Sequence, residues 1–266
     1  MVTAKDIRIA PINSATANVL VRRIHYSGKV VNNSQLHLGV FLDNRLEGAM
    51  QFGPSLDKRK IQGLVSGTKW SGFIELNRMA FSDNLPRNSE SRALGVAFRL
   101  IKKHYPHIEW IVSFADATQC GDGTIYRAAG FVLTGIKKNN QIWEAPDGNV
   151  FSRTSLTDGR SKQQQAQAIN ILSRTTVTKG KHILNSGAAS MKIFKSAGWR
   201  PKLGYQLRYI YFLNPEAKSR LTVPIIPFSK IDEIGAGMYK GRSKQATTGT
   251  TCEAAGQHRP ERSNRF

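Results

Sequence analysis

The alternation of apolar and polar segments along this 266-residue chain predicts helices interleaved with strands. Residues 14–24 show the apolar spacing of a helix, and Ser14 is the expected N-cap. Two apolar runs, at 36–42 and 46–53, flank the turn residues 43–45 and predict a hairpin. The first part of the chain therefore combines one helix with a pair of antiparallel strands.

The middle of the chain continues this order. An apolar strand at 73–81 leads through a polar loop to a helix at 92–105, whose apolar residues recur every three or four positions. A second apolar run, at 110–115, predicts another strand. A short helix that carries Tyr126 follows, and then a strand at 131–137. This succession is typical of a mixed α/β fold.

The last third is less regular. Residues 155–185 are polar and predict a helix between two loops, whereas 205–213 have the pattern of a strand. Residues 240–266 are rich in Gly, Ser, Thr, Gln and Arg without periodicity, which predicts a disordered basic tail. We therefore expect a single domain over 1–239, with an insertion at about 155–200.

A short motif occurs twice, as Ile125–Phe131 and as Ile193–Trp199. Both copies precede a predicted strand, and a shared way of packing a helix against a strand explains the repetition. The copies differ at one ring, because Tyr126 has a hydroxyl group where Phe194 has none. Packing alone does not need that hydroxyl, so Tyr126 is the ring expected to carry chemistry.

The segment around the first copy resembles a known fold. An apolar strand ends on Asp116, the helix with Tyr126 follows, and the pair Gly130-Phe131 leads directly into the next strand. This order resembles the acyl-CoA half of the GCN5-related N-acetyltransferase fold. The resemblance implies an α/β protein, with a mixed, largely antiparallel sheet flanked by helices and a single catalytic domain.

The composition adds a strong positive charge to this picture. The chain contains 39 Lys and Arg residues against 18 Asp and Glu residues, a net charge of +21, and the basic residues are spread along its length. Such a surface favours nucleic acid, because it neutralises phosphates, and double-stranded DNA is the partner we expect. A basic protein without a polyanionic partner is the simpler alternative.

Other features predict the cellular context. No stretch approaches 18 consecutive apolar residues, and no helix shows the large apolar face of a membrane-surface helix, so we expect no membrane contact. The first residues lack the apolar core of a signal peptide. Cys120 and Cys252 are far apart and predict no disulfide framework. These features predict a protein of the cytoplasm, with a homodimer as an open alternative to a monomer.

The loop before the helix at 92–105 is a candidate phosphate site. Acetyltransferases place a pattern Gln/Arg-x-x-Gly-x-Gly/Ala there, and its backbone N–H groups hold the coenzyme A pyrophosphate at a helix N-terminus. Here Asn88 takes the first position and Ser91 replaces the first glycine. A capping box that begins at Ser89 is the alternative. The candidate cofactor-binding residues of this loop are Arg87, Asn88, Ser89, Ser91 and Arg92.

Three further polar positions are candidates for chemistry. His25 and Tyr26 follow the first helix, where a helix cap is the plain alternative. Asp116 ends an apolar strand, at the edge where open α/β sheets bind their ligands. A carboxylate beside His25 would hold the imidazole as a general base or bind a metal. One such pair does not define a metal's ligand set, so the metal stays unassigned.

Arg78 lies inside the apolar strand at 73–81. An arginine in that position is either paired in the core or directed at a bound anion. Glu75 and Asn77 are expected on the opposite face, because side chains alternate along a strand. This favours an anionic ligand over an ion pair within the strand, and Arg78 joins the cofactor-binding candidates.

Aromatic and basic residues interleave between Trp199 and Tyr211. A strand with this pattern offers a face on which unstacked bases can stack. A sheet strand with solvated arginines explains the pattern equally well, so the segment indicates DNA contact only in combination with other signals.

Five segments together resemble the Mom family of phage DNA-modification proteins, over about residues 5–241. The segments that carry the resemblance are 25–28, 73–81, 87–94, 113–118 and 123–131. On this basis we expect the active-site residues to be His25, Tyr26, Arg78, Ser91, Asp116 and Tyr126.

The resemblance implies a function that composition does not. Mom-type proteins convert adenine in phage DNA to N6-(carbamoylmethyl)adenine, which shields the DNA from host restriction endonucleases. It also implies acetyl-CoA or a related acyl-CoA as cofactor, iron as a candidate metal, and the bacterial host cytoplasm as location. The glycines missing from the phosphate loop argue against ordinary use of acetyl-CoA.

Two other classes of function are open from the sequence. An ordinary N-acetyltransferase that acts on a small molecule or a protein would turn over acetyl-CoA without DNA. A non-catalytic DNA-binding protein on a decayed acetyltransferase fold would show steeply salt-dependent binding and would leave the bases unmodified.

Overall fold

A computed structural model describes residues 2–157, 162–175, 191–239 and 242–243. Its main feature is a seven-stranded sheet with the order β1-β2-β3-β4-β5-β10-β6. Strands β4 and β5 are parallel, and the other neighbours in this sheet are antiparallel. The expected mixed, largely antiparallel α/β sheet is confirmed. The strands are β1 (Arg8–Pro11), β2 (Leu36–Leu42), β3 (Arg45–Gly53), β4 (Phe73–Phe81), β5 (Trp110–Asp116), β6 (Val132–Lys138) and β10 (Tyr205–Phe212).

Helices fill the connections. Asn13, rather than Ser14, caps the first helix, since the Asn13 Oδ1 accepts from the Thr16 N–H at 2.8 Å. The third helix begins at Ser89, three residues before the position that its apolar spacing indicates. The helices of the main part are α1 (Ser14–Ile24), α2 (Lys58–Gln62), α3 (Ser89–His104), α4 (Thr124–Ala128), a 3₁₀ helix (Pro215–Arg220) and α8 (Ser229–Glu233).

The two parallel strands at the centre of the sheet separate along their length. β4 and β5 pair only between Phe73–Glu75 and Trp110–Val112. Beyond those residues β4 continues along β3, and β5 continues along β10 as far as Asp116. The sheet is therefore split between the carboxyl ends of β4 and β5, and a split at this edge leaves room for a ligand.

A β-bulge interrupts β4 at the same point. Along the β3–β4 pair, Phe52 lies opposite Leu76, but Gln51 lies opposite Arg78, so Asn77 is an extra residue on β4. An inserted residue breaks the alternation of side chains along the strand. The expectation that Glu75 faces away from Arg78 is therefore wrong, because the bulge returns both side chains to the same side.

A second, smaller core lies outside the main sheet. It packs around Phe194 and Trp199 beneath a three-stranded sheet of order β8-β7-β9. The helix expected within 155–185 is present over Lys162–Thr175, and the rest of that expected range beyond Thr175 lies outside the described residues. The elements of this part are β7 (Ile142–Glu144), β8 (Val150–Ser152), α5 (Arg153–Thr157), α6 (Lys162–Thr175), α7 (Met191–Ser196) and β9 (Arg200–Pro201).

The structure describes two residues of the expected disordered tail. Arg242–Ser243 forms a strand, β12, which pairs with β11 (Met238–Tyr239). The disordered tail expected over 240–266 stays a prediction. The remainder of the predicted tail lies outside the described residues.

The aromatic and basic segment before residue 212 does not form a stacking face. Strand β10 lies between β5 and β6, and the rings of Tyr205 and Tyr209 are buried within the main core. Arg208 is tied to the neighbouring strand, because its Nη2 donates to the Thr134 carbonyl at 2.8 Å. Trp199 belongs to the smaller core. The interpretation of this segment as a face for stacking bases is therefore wrong, because β10 lies inside the sheet and its tyrosine rings are buried.

Candidate active site

The split between β4 and β5 opens into a cavity of about 570 Å³. That volume lies within the roughly 300–1,000 Å³ typical of small-molecule sites. Five sequence-predicted side chains, from four separate parts of the chain, line this one cavity. They are His25, Tyr26, Arg78, Asp116 and Tyr126.

His25 and Tyr26 reach the cavity from the end of α1. Their ring centroids are 4.3 Å apart. Burial, with a smaller contribution from the positive charge of Arg78, lowers the pKa of His25 to about 4. The His25 Nδ1 lies 2.8 Å from the Ser27 Oγ and accepts from the Ser27 N–H at 3.2 Å. Its imidazole is thus neutral at neutral pH and is held by Ser27, not by the carboxylate that the sequence suggested.

Tyr26 lies half exposed at the cavity, with 49% of the residue accessible to solvent. The desolvation of its hydroxyl, and then the negative charge of Asp116, raise the pKa of Tyr26 above its ordinary value. Its phenol is therefore protonated under physiological conditions. An aromatic ring that is open on one side can also stack against a planar base.

Arg78 presents a guanidinium group that is anchored by the backbone. Its Nε donates to the Lys29 carbonyl at 2.8 Å, and its Nη1 donates to the Asn77 carbonyl at 2.6 Å. Neutral carbonyl groups fix the orientation of the guanidinium without cancelling its charge. Glu75 also lines the cavity, and burial raises the pKa of its carboxyl group, an effect that Arg78 partly opposes.

Asp116 organises the turn that follows β5. Its Oδ1 accepts from the Thr118 N–H at 3.0 Å and from the Asn139 amide at 3.2 Å, and its Oδ2 accepts from the Gln119 amide at 3.0 Å. These three donors hold the carboxylate at the cavity wall. The pairing of Asp116 with His25 that the sequence suggested does not form, since each has other partners.

Tyr126 lies deepest among the candidates. Burial raises the pKa of Tyr126 to about 12, although a hydrogen bond with Ser113 opposes the shift. The Phe131 N–H donates to the Tyr126 carbonyl at 3.0 Å, and Gly130 has φ +87°. In the second copy of the motif, the Trp199 N–H donates to the Phe194 carbonyl at 2.9 Å. The shared local structure of the two copies is confirmed, with a hydroxyl only at the cavity.

Gly123 fixes the start of the helix that carries Tyr126. It has φ +83°, and a Cβ atom there would lie 2.4 Å from a ring carbon of Tyr209. We expect Gly123→Ala to lower the free energy of unfolding by about 3 kcal/mol, because backbone strain and overpacking add. Chemical denaturation measures this loss.

The control for this substitution is Gly148→Ala. Gly148 has φ +81° and no atom within 4 Å of the added Cβ. That variant isolates backbone strain, at a cost of about 1 kcal/mol. Equal losses in the two variants would contradict a role for the contact with Tyr209.

The predicted phosphate loop lies at the N-terminus of α3 and lines no part of the cavity. Asn88 precedes the helix with a left-handed backbone, φ +70°, and its side chain does not cap it. The capping box expected from Ser89 does not form, because Ser89 is the first helical residue and the Arg92 N–H donates to the Asn88 carbonyl. Ser89 is buried, and its hydroxyl donates to the Pro86 carbonyl at 2.7 Å. The Ser91 hydroxyl donates to the Asn88 carbonyl at 3.2 Å.

The first turn of α3 fits a pyrophosphate in part. The Ser89 N–H already donates to the Pro86 carbonyl at 3.2 Å, whereas the N–H groups of Glu90 and Ser91 precede the first bond of the helix, from the Arg92 N–H to the Asn88 carbonyl. Arg87 and Arg92 are exposed beside them. Ser89 does not fit, because its hydroxyl is turned inward.

Several residues that line the cavity were not predicted from the sequence, among them Glu75, Asn139, Gln206 and Leu56. Glu75 was assigned to the wrong face, since no sequence signal reveals the bulge at Asn77. The amides of Asn139 and Gln206 come from β6–β7 and β10, and Leu56 comes from the loop after β3. The one signal in the sequence that could have indicated Glu75 as a site residue is the occurrence of three polar residues, Glu75, Asn77 and Arg78, within the apolar strand β4.

The candidate metal and the expected lack of membrane contact can be compared with the described part of the chain. Within it, no group of three or more His, Cys, Asp or Glu side chains is arranged to hold a metal ion, so the iron expectation gains no support from the donor set. No helix within the described ranges has the length and apolar character that a bilayer crossing requires.

The split sheet and its polar cavity define an α/β protein with a mixed, largely antiparallel sheet and a cavity of ligand size at the split. The chain belongs to the Mom protein family, whose family model matches residues 6–230. It is 33% identical over 223 residues to the methylcarbamoylase mom of Escherichia phage Mu, which covers 84% of this chain and 82% of the relative.

Solved acetyltransferases resemble this chain only at low similarity. A GNAT family acetyltransferase from Elizabethkingia anophelis with acetyl-CoA bound has a TM-score of 0.33 and 16% identity, over 50% of this chain and 81% of that one. The IAA acetyltransferase from Bacillus cereus has a TM-score of 0.38 and 10% identity, over 77% and 99%. TM-scores this low lend no weight to a particular ligand or reaction.

Proposed function

We propose that this protein is a DNA-modifying transferase that converts adenine to N6-(carbamoylmethyl)adenine in phage DNA and so protects it from host restriction endonucleases. The observation that carries the proposal is the convergence of His25, Tyr26, Arg78, Asp116 and Tyr126 on one cavity, in a chain of the Mom family. The relative from phage Mu is named a methylcarbamoylase.

Charge and cavity size support a base in duplex DNA as substrate. A net charge of +21 suits the phosphate backbone. Because N6 is paired inside the duplex, the target adenine has to leave the stack and enter the cavity. The Gln206 amide lines the cavity, and such an amide can pair with the edge of adenine. The Asn139 amide also lines the cavity, but it is engaged by Asp116, Thr118 and Gln141. The proposal places the protein in the host cytoplasm, with its DNA.

The reaction replaces one hydrogen on N6 with a carbamoylmethyl group. Acetyl transfer would instead leave an amide on N6, so the donor has to present a methylene carbon to the nitrogen. In our proposal neutral His25 or the Asp116 carboxylate accepts the proton that N6 loses. Tyr126, whose phenol stays protonated, donates a proton to the leaving group. Arg78 binds negative charge on the donor.

An acyl-CoA is the cofactor that the N-terminus of α3 fits best. The N–H groups of Glu90 and Ser91, together with Arg87 and Arg92, would hold its pyrophosphate. We expect the double variant Arg87→Ala, Arg92→Ala to bind coenzyme A about tenfold more weakly, since each lost phosphate contact is worth at least a few tenths of a kcal/mol. Titration calorimetry measures this.

The matched control is the double variant Arg22→Ala, Arg23→Ala, which removes two basic residues at the end of α1. It should leave coenzyme A binding unchanged. Equal weakening in both variants would indicate a general effect of charge instead of a site at α3.

The proposed function is tested by expression in bacteria. The host DNA is digested to nucleosides and analysed by mass spectrometry, with Asp116→Ala protein as the inactive control. The expected result is a deoxyadenosine heavier by one carbamoylmethyl group in the wild-type sample alone. If folded wild-type protein leaves only ordinary deoxyadenosine, the proposal is wrong, and turnover of acetyl-CoA without DNA would identify an ordinary acetyltransferase.

A further inference from the structure

Leu56 is an apolar side chain at the edge of the cavity that is almost fully in water. It is 93% exposed, the highest value among the large apolar residues that the structure describes. Isolated surface leucines are common and need no explanation. Leu56 differs from them in its position, because it lines the cavity that a base has to enter.

The loop that carries Leu56 is fixed on both sides. The Pro54 carbonyl accepts from the Asn33 amide at 3.2 Å, and Ser55 is buried with 5% exposure. On the other side, the Asp57 carbonyl accepts from the Ile61 N–H at 3.1 Å, at the start of α2. The leucine is therefore held outward by an anchored backbone.

Basic residues flank Leu56 in a way that suits a phosphate backbone. Lys58, Arg59 and Lys60 follow it after the single residue Asp57, and the Lys58 Nζ lies 4.7 Å from the centre of the exposed Trp70 ring. A second exposed basic pair, Lys137-Lys138, immediately precedes the cavity residue Asn139. Positive charge is thus available on two sides of the cavity, and DNA is the partner that this charge favours.

We propose that Leu56 is a wedge that enters the base stack and fills the space left by the extruded adenine. This inference rests on the proposed function, because a wedge is needed only if the protein extrudes an adenine from duplex DNA. An extruded base leaves a gap with unstacked neighbours, and proteins that deform duplex DNA insert apolar side chains at such places. The flanking lysines and arginine bind the phosphates on either side.

The test compares Leu56→Ala with a matched control, Leu203→Ala. Leu203 is 67% exposed and lies outside the cavity, so both variants remove an exposed leucine and should fold normally. The DNA is a duplex with 2-aminopurine at an adenine that the wild-type protein modifies in cells. Extrusion is followed by 2-aminopurine fluorescence, binding by anisotropy, and modification in cells by mass spectrometry.

We expect Leu56→Ala to lower both extrusion and modification about tenfold, while DNA binding weakens by about threefold or less. An abasic site opposite the target makes extrusion easier, and we expect it to restore extrusion by Leu56→Ala to within about twofold of wild type. If Leu56 had only a structural role, the abasic site would not restore extrusion by the Leu56→Ala protein.

The inference and the proposed function fail in different ways. If wild-type protein modifies DNA but Leu56→Ala behaves like Leu203→Ala, the wedge is wrong and the function stands. If the abasic site does not rescue Leu56→Ala, the wedge is also wrong. If wild-type protein produces no modified adenine in cells, the function fails, and the wedge fails with it.

Discussion

Replacing Tyr126 with phenylalanine lowers adenine modification at least about 100-fold, equivalent to about 2.7 kcal/mol of transition-state stabilisation. The melting temperature stays within about 2 °C of wild type, because the substitution keeps the ring and its packing. The ring of Tyr126 lies 5.2 Å from that of Phe131, and in the second copy of the motif Phe194 packs 4.9 Å from Trp199. The chain thus already contains a phenylalanine that fills this local environment.

The physical reason is the proton that the phenol retains. With a pKa of about 12, Tyr126 is protonated at neutral pH and can donate a proton or a hydrogen bond inside the cavity. The modified nucleoside is quantified by mass spectrometry in cells that contain equal amounts of each protein.

The matched control is Tyr211→Phe. Tyr211 packs against the same Phe131 ring, at 5.5 Å, but does not line the cavity. The Tyr211→Phe protein should retain near wild-type adenine modification. Comparable losses in the two variants, or an active Tyr126→Phe protein, would remove Tyr126 from the chemistry.

Replacing Asp116 with asparagine also lowers modification about 100-fold or more, and it separates charge from structure. The asparagine oxygen can still accept from the Thr118 N–H and from the Asn139 amide, which both donate to Oδ1, and only the Gln119 amide has to rotate to offer an oxygen to the new NH₂ group. The turn should therefore persist, with a melting temperature within about 3 °C of wild type. What is lost is the negative charge at the cavity wall.

Asp116→Ala provides the comparison. It leaves three donors without their acceptor, so it should lose modification and also lower the free energy of unfolding by about 1–3 kcal/mol. Chemical denaturation and mass spectrometry on both variants separate the two effects. If Asp116→Asn keeps more than about a tenth of wild-type modification, the charge is not required, and Asp116 serves only to hold the turn.

The sequence contained enough information for the local structure of the site. Gly130 and the aromatic residue after it predicted how the helix with Tyr126 turns into a strand, and the repeated motif at Phe194 folds in the same way. Asp116 was recognised because an apolar strand that ends on a charged residue is a local signal. These features depend on a few neighbouring residues, so they can be deduced without tertiary contacts.

The arrangement around Arg78 could not be deduced in this way. Alternation along β4 placed Glu75 on the opposite face, but the bulge at Asn77 arises from the register with β3. Register depends on the partner strand, which a single segment does not specify. For the same reason the partner of His25 was misjudged, since the distance between its loop and Asp116 is set by the whole sheet.

The sequence by itself determined the class of fold, most helices and strands, the excess of basic residues and the family resemblance that marked His25, Tyr26, Arg78, Asp116 and Tyr126. Only the tertiary structure decided that these five residues share one cavity, because it depends on where β4 and β5 separate. It also decided that β10 lies inside the sheet and that Leu56 stands at the cavity edge. Periodicity reports which residues a segment buries, whereas the choice of partner strand is a property of the assembled sheet.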